Sequence, residues 1–212
     1  MKQIPLLLFL AFSLSLCNLT ERFTGKKAEN GNSATSNSSG SSKSGSSSSE
    51  PAEKPNPTAA QKAALDGGQD VKWDQQGISW TLPANWRKIS VEKTTFNYGT
   101  PPTFIIVSIS PMSDDFPADE SINAFYKGAQ DRMKNGEVDE LKWLELDGLK
   151  GIQFRESNPD KPDDIRRMHW MAYRKYAGQT QLINIILSSN GQTFPKAQDA
   201  LYGVLYSTKI VQ

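Results

Sequence analysis

The distribution of aromatic residues constrains this chain most. All five Trp and all six Tyr of the 212 residues lie between Trp73 and Tyr206, whereas residues 31–49 hold eleven Ser and three Gly. A segment with so little apolar surface cannot offset the entropy of ordering itself. The sequence therefore predicts one folding unit behind a long polar lead-in, not two domains. Hydrophobic residues make up only 37% of the chain, and the shortfall belongs to the lead-in. The formal net charge is +1, and from Val71 onward seventeen Lys and Arg balance seventeen Asp and Glu. A neutral folded part has no electrostatic footprint for nucleic acid, so no nucleic-acid partner is expected. One Cys excludes an intrachain disulfide framework and a Cys-rich metal site, and one His excludes His-pair zinc motifs.

The first residues read as an address. Lys2 precedes an apolar run from Ile4 to Leu16, interrupted only by Pro5, Ser13 and Ser15. At 1.5 Å per residue this run cannot cross a hydrocarbon core of about 30 Å. It fits a bacterial export signal over residues 1–16. No later stretch is apolar for 18 residues.

Leu14-Ser15-Leu16-Cys17 resembles the lipobox of bacterial lipoproteins, in which the Cys is acylated and becomes the new N-terminus. Leu14 and Ser15 fit the pattern; Leu16 departs from it, since Gly, Ala or Ser normally precedes the Cys. Two other readings stand beside lipidation of Cys17. One is ordinary cleavage after Ser15-Leu16-Cys17, giving a secreted protein, and the other is a helix residue of an uncleaved anchor. The polar stretch that follows favours the lipoprotein. Residues 17–70, with the Ser-rich tract and then Pro51, Pro55 and Pro57, read as a disordered tether with an r.m.s. span of about 40 Å. Such a tether is useful when one end is fixed to a membrane. The sequons at Asn18 and Asn37 are chance matches in this context. Ala59–Leu65 is expected to be a frayed helical turn.

From residue 71 to 212 the pattern is that of a folded domain. Ile78, Trp80 and Leu82 alternate with Ser79 and Thr81, a half-buried strand. Pro83-Ala84-Asn85 is a turn, and Trp86 opens a strand toward Val91. Phe96 and Tyr98 precede a Pro-Pro corner. Thr103–Ser110 is almost continuously apolar, which predicts a central strand covered on both faces. Ile122, Phe125, Tyr126, Ala129 and Met133 share one face of a helix, with Asp119 and Glu120 in its first turn and Asn135-Gly136 at its end. Asp147-Gly148 marks a hairpin between strands through Leu144 and Leu149. A loop over Asn158–Asp164 precedes strands at Ile165–Tyr176 and Gln181–Ser188. Phe194, Ala197, Leu201, Val204 and Leu205 recur at helical spacing. Hairpin links predict a mainly antiparallel sheet with helices packed on it, an α+β domain.

The run Trp80-Thr81-Leu82-Pro83-Ala84-Asn85-Trp86 resembles the opening of the Mog1/PsbP-like superfamily. Asp147-Gly148-Leu149-Lys150-Gly151 resembles its central hairpin, and the ending from Phe194 through Leu201 to Ile210 resembles its last helix. The resemblance implies an α/β/α sandwich around an antiparallel sheet. The family includes a photosystem II extrinsic subunit, a Ran-binding protein and small bacterial envelope lipoproteins of the DcrB type. The last group fits the N-terminus of this chain.

Candidate chemistry is sparse. His169, within Arg166-Arg167-Met168-His169-Trp170, would need a nucleophile or an orienting carboxylate to act as an acid or base. Asp114-Asp115, Asp119-Glu120 and Asp160/Asp163/Asp164 lack calcium-loop spacing. Arg166, Arg167, Arg174 and Lys175 are interleaved with Trp170 and Tyr173 on a strand that also holds Met168, Met171 and Ala172, so half of it must face a core and its outer positions read as solvated; a lipid headgroup or anionic glycan contact is the rival reading. Trp73, Trp143 and Trp170 have charged neighbours and are the candidates for exposure in a ligand cleft. No phosphate loop or nucleophile elbow occurs. The expectation is a monomeric, non-enzymatic envelope lipoprotein, anchored in the membrane through acylated Cys17, with no cofactor and no metal. Its domain would meet a protein or an envelope polymer. The alternatives are a small-ligand or lipid-binding module, and an enzyme built around His169.

Overall fold

In the computed structural model the described residues are 50–211. Ten strands and three α-helices are formed among them. Helix α1 (Ala59–Ala63) precedes strands β1 (Gln69–Trp73), β2 (Ile78–Leu82), β3 (Arg87–Val91), β4 (Thr95–Thr100) and β5 (Thr103–Pro111). Helix α2 (Ala118–Lys134) follows, then β6 (Val138–Leu146), β7 (Leu149–Glu156), β8 (Ile165–Tyr176) and β9 (Gln179–Asn190). Helix α3 (Phe194–Tyr206) and the short β10 (Lys209–Ile210) complete the order.

Hairpins join most consecutive strands, and every ladder is antiparallel. One sheet has seven strands in the order β3-β4-β5-β9-β8-β7-β6; a smaller one has the order β1-β2-β10. The main core lies between one face of the large sheet and a layer made of the small sheet and α3. It includes Trp80, Leu82, Ile105, Trp170, Phe194 and Leu201. Each such side chain contributes roughly 1.5–3 kcal/mol by leaving water. On the other face α2 packs against β6, β7 and β8, closing a smaller cluster of Ala129, Val138, Trp143, Ile152 and Phe154. The sandwich expected from the sequence is present, but one outer layer is a helix together with a small sheet.

Three expectations require correction. First, the fold begins well before residue 71. Thr58 caps α1 with a reciprocal capping box to Gln61, and α1 packs on α3. Still earlier, Glu53 pairs with the edge of β6. The part of the expected linker that is described, residues 50–70, therefore belongs with the folded domain. Composition missed this because the segment docks through backbone bonds and one Ala, Ala52, rather than through an apolar stripe.

Second, β5 is not covered on both faces. Ile105, Val107 and Ile109 are buried, whereas Phe104, Ile106 and Ser108 are half-buried, because α2 sits over β6–β8. Third, only part of the α2 stripe is inward. Ala129 is buried, but Phe125 and Met133 are 42% and 38% exposed. No described helix is long and apolar enough to cross a membrane.

Candidate functional site

The small sheet carries two adjoining concavities. Lys72 of β1 and Lys209 of β10 both pair opposite Ser79 of β2, so directly opposed residues place all three on one face. One register step away Asp70 faces Thr81, whose hydroxyl donates to Asp70 Oδ1 at 2.8 Å. Two adjoining hollows of about 340 and 290 Å3 share Lys72, Ser79 and Lys209. Asp147 bounds the first: its Oδ2 accepts from the Ile210 amide at 2.8 Å, and Oδ1 lies 3.6 Å from Lys209 Nζ. Ser207 bounds the second, its Oγ accepting from the Thr81 amide at 3.0 Å. The result is a hydroxyl-floored trough with charged walls of both signs. Its chemistry suits hydrogen bonding to a polar ligand.

His169 is elsewhere, on the large-sheet face that α2 partly covers. Its ring stacks on Phe154 at 4.5 Å and 9°. Nε2 lies 3.6 Å from Glu156 Oε1, and Arg167 Nη1 lies 3.5 Å from Oε2. Arg132 Nη2 stands 3.9 Å from the same carboxylate and also covers the Phe154 ring. Burial works to raise the Glu156 pKa, but the neighbouring His169 and the guanidiniums of Arg167 and Arg132 outweigh it and hold it below the usual glutamate range. The carboxylate beside His169 thus comes from β7. The imidazole thus sits between an aromatic ring and a shared, ion-paired carboxylate. His169 lines neither hollow of the trough.

The basic strand divides in two. Alternation along β8 sends Arg166 and Arg174 inward with Met168, Trp170 and Ala172, so one half of the strand faces the core as expected, and these two arginines belong to that half. Arg166 bonds Asp139 and the Glu156 main-chain oxygen, the latter at 2.9 Å, and lies over the Phe194 ring. Arg174 donates to the main-chain oxygens of Gln76 at 2.7 Å and Val211 at 3.0 Å. Burial lowers its pKa from the ordinary arginine value. Both guanidiniums sit near strand ends, where the apolar core gives way to polar partners. Only Arg167 and Lys175 are left on the outer side, too few for an anionic surface.

The aromatic cleft is likewise closed. All five Trp are buried, none more than 5% exposed, including Trp73, Trp143 and Trp170. Trp170 Nε1 donates to the Leu144 oxygen at 3.1 Å, and Trp73 Nε1 to Glu92 at 3.0 Å. Charged neighbours misled because strand alternation sends adjacent residues to opposite faces.

Sequence reasoning missed one polar cluster. Tyr202 of α3 donates to the Glu140 carboxylate. Arg155 Nη1 donates to the Tyr202 hydroxyl at 3.1 Å, and Gln153 Nε2 donates to Glu140 at 2.8 Å. Burial and then Glu140 raise the Tyr202 pKa strongly. These groups bond to one another, while Gln153 Oε1 is buried without a hydrogen-bond partner. Among the described residues no group of three or more His, Cys, Asp or Glu could hold a metal. Asp119 and Glu120 occupy the first turn of α2, where the helix dipole favours them. Cys17 lies outside the described residues.

No family model matches the chain, and no curated protein does. Solved structures do match. LpqN, involved in cell envelope biogenesis of Mycobacterium tuberculosis, aligns with a TM-score of 0.50 and 15% identity, over 74% of this chain and 99% of LpqN. Cyanobacterial PsbP from Synechocystis sp. PCC 6803 aligns at 0.45 and 14% identity, over 68% and 92%. Mog1 aligns at 0.36 and 12% identity, over 68% and 96%. The chain spans about half, 49%, of a Bacteroides thetaiotaomicron protein that it matches at 0.44 and 11% identity over 68% of its own length. The likeness to LpqN is one of fold, an antiparallel sheet with helices packed on it, as the sequence pattern implies. Identities this low transfer no function.

Proposed function

We propose that this chain is a non-enzymatic bacterial envelope lipoprotein whose Mog1/PsbP-like domain is a binding module on a tether. The observation that carries the reading is Cys17 directly behind an export-type run, followed by a Ser-rich spacer that reaches the folded part at residue 50. Residues 1–16 are the signal, 17–49 the spacer and 50–212 the module. A spacer of that composition and length has an r.m.s. reach of about 30 Å. Full lipoprotein modification adds more than one acyl chain, which stable anchoring requires. The envelope role of LpqN, a protein of the same fold, is consistent with this location.

The same module has a second reading, favoured by the trough over Lys72, Ser79 and Lys209: a small polar ligand bound at the domain surface. An apolar or lipid ligand has less support, since the Trp side chains fill the cores. Metabolic labelling with palmitate tests the anchor. The unaltered chain should be labelled and sediment with membranes, and Cys17→Ala should do neither. An unlabelled, soluble mature protein, or one whose intact mass shows cleavage after Cys17, would overturn the proposal.

A further inference from the structure

The segment just after the Ser-rich tract lies along an edge that would otherwise be open. β6 is an edge strand of the seven-stranded sheet, and such edges present unpaired backbone groups to other chains. Glu53 closes part of it. Its amide donates to the Trp143 oxygen at 2.9 Å, and its oxygen accepts from the Glu145 amide at 2.8 Å. Alternate residues of an antiparallel strand turn both backbone groups to the same side. Leu141, Trp143 and Glu145 therefore face the edge, and among the described residues the strap covers only the last two.

The strap is lightly held. It makes a single bridge. Its ion pairs, Lys142–Glu53 at 3.1 Å and Lys54–Glu145 at 3.6 Å, involve strap side chains that are 64% and 78% exposed. Glu50 adds two bonds, its side chain accepting from Trp143 Nε1 at 3.0 Å and its main-chain oxygen from Lys150 Nζ at 2.7 Å, and Ala52 packs against the cluster under α2. A segment with one bridge and solvated ion pairs opens at low free-energy cost.

We propose that residues 50–54 are a displaceable cap on β6, and that the uncapped edge pairs with β6 of a second copy of this chain. The sequence of β6 is complementary to itself. An antiparallel pair centred on Leu141 sets Leu141 against its own counterpart, both with edge-facing backbone groups. Glu140 then stands opposite Lys142 twice. Lys142, which holds Glu53 at 3.1 Å and Glu140 of its own strand at 3.5 Å, exchanges Glu53 for the Glu140 of the second copy. Opposite charges directly across a ladder favour such a register. The cap thus keeps the module single until the segment joining it to the spacer is drawn away.

The test uses the full chain and Glu53→Pro, which removes the amide that bonds Trp143. Mass is read by light scattering over a concentration series, and folding by far-UV circular dichroism. The unaltered chain should run as a monomer. Glu53→Pro should double in mass as concentration rises, and adding Lys142→Glu should return it to monomer by setting like charges opposite each other. A second variant, with residues 50–54 replaced by Gly and Ser, should behave as Glu53→Pro does. A folded variant that stays monomeric at every concentration would overturn the proposal. So would a dimer indifferent to Lys142→Glu, or an unaltered chain that is already dimeric. Loss of strand signal in both strap variants would overturn it too, since the segment would then be part of the fold.

Discussion

Arg174 Nη2 donates to the main-chain oxygen of Gln76 at 2.7 Å, and the two residues lie 98 positions apart. The same guanidinium reaches the Val211 oxygen, so one side chain ties β8 to both the turn after β1 and the strand that ends the fold. Among the described residues no carboxylate pairs with it; neutral oxygens and the Tyr176 ring, 4.1 Å from the guanidinium carbon, lie around it.

Arg174→Ala should lower stability by about 3 kcal/mol, since buried acceptors lose charge-assisted bonds. Arg174→Lys should recover little, because an ammonium cannot reproduce the planar fork. Urea midpoints of the two variants check this. A lysine variant as stable as the parent would contradict it.

Gly151 lies against β8 so closely that an added Cβ would stand 2.5 Å from the Met171 oxygen and 2.7 Å from the Trp170 indole. Gly151→Ala should cost about 1–3 kcal/mol through overpacking. The near-ultraviolet dichroism of the buried indoles should change with it. An unchanged melting temperature would show that the strands separate without strain.

The close approach of α1 to α3 depends on Gly203. A Cβ there would meet the Gln61 oxygen at 2.7 Å. Helix α1 is only five residues long and is held by this contact and its capping box, so it should yield before α3 does. Gly203→Ala should therefore raise hydrogen exchange at the Lys62 and Ala64 amides, which bond to Thr58 and Ala60. The α3 amides should stay protected. Thr58→Ala should expose the same two amides and cost about 1 kcal/mol.

Glu156 gives the fold a defined response to acid. His169, Arg167 and Arg132 hold its pKa below the usual glutamate range, against the opposing effect of burial. The folded state therefore favours the ionised form more than the unfolded state does. That stability is fully present above the unfolded glutamate value and is lost as pH falls through the lower, folded one. Glu156→Gln should be less stable than the parent by about 1 kcal/mol at neutral pH. The two chains should converge in acid below the glutamate range. A gap that is constant across pH would contradict the ion-pair account.

The polar spacer and the folded part were distinguishable in the sequence because burying aromatic side chains requires a core, and Ser-rich chain has nothing to bury. Period-two and helical spacing located β2, β5, β8, β9, α2 and α3, since these elements owe their existence to one apolar face each. The Pro83–Asn85 turn and the Asp147-Gly148 hairpin were legible for a local reason, the backbone chemistry of turn residues. Cys17 and the apolar run before it are also matters of sequence, read from residue order alone.

Tertiary structure alone decided the rest. The cap at Glu53, the two-residue β10 and the inward turn of Arg166 and Arg174 depend on partners far away along the chain. A polar residue is buried when another element supplies its hydrogen bonds, and no local pattern records that supply. The same reason hid the Tyr202–Glu140 pair and brought Glu156 to His169. Local propensity fixed which segments are strands; the long-range pairing of edges fixed which of them are covered and which charges they hold.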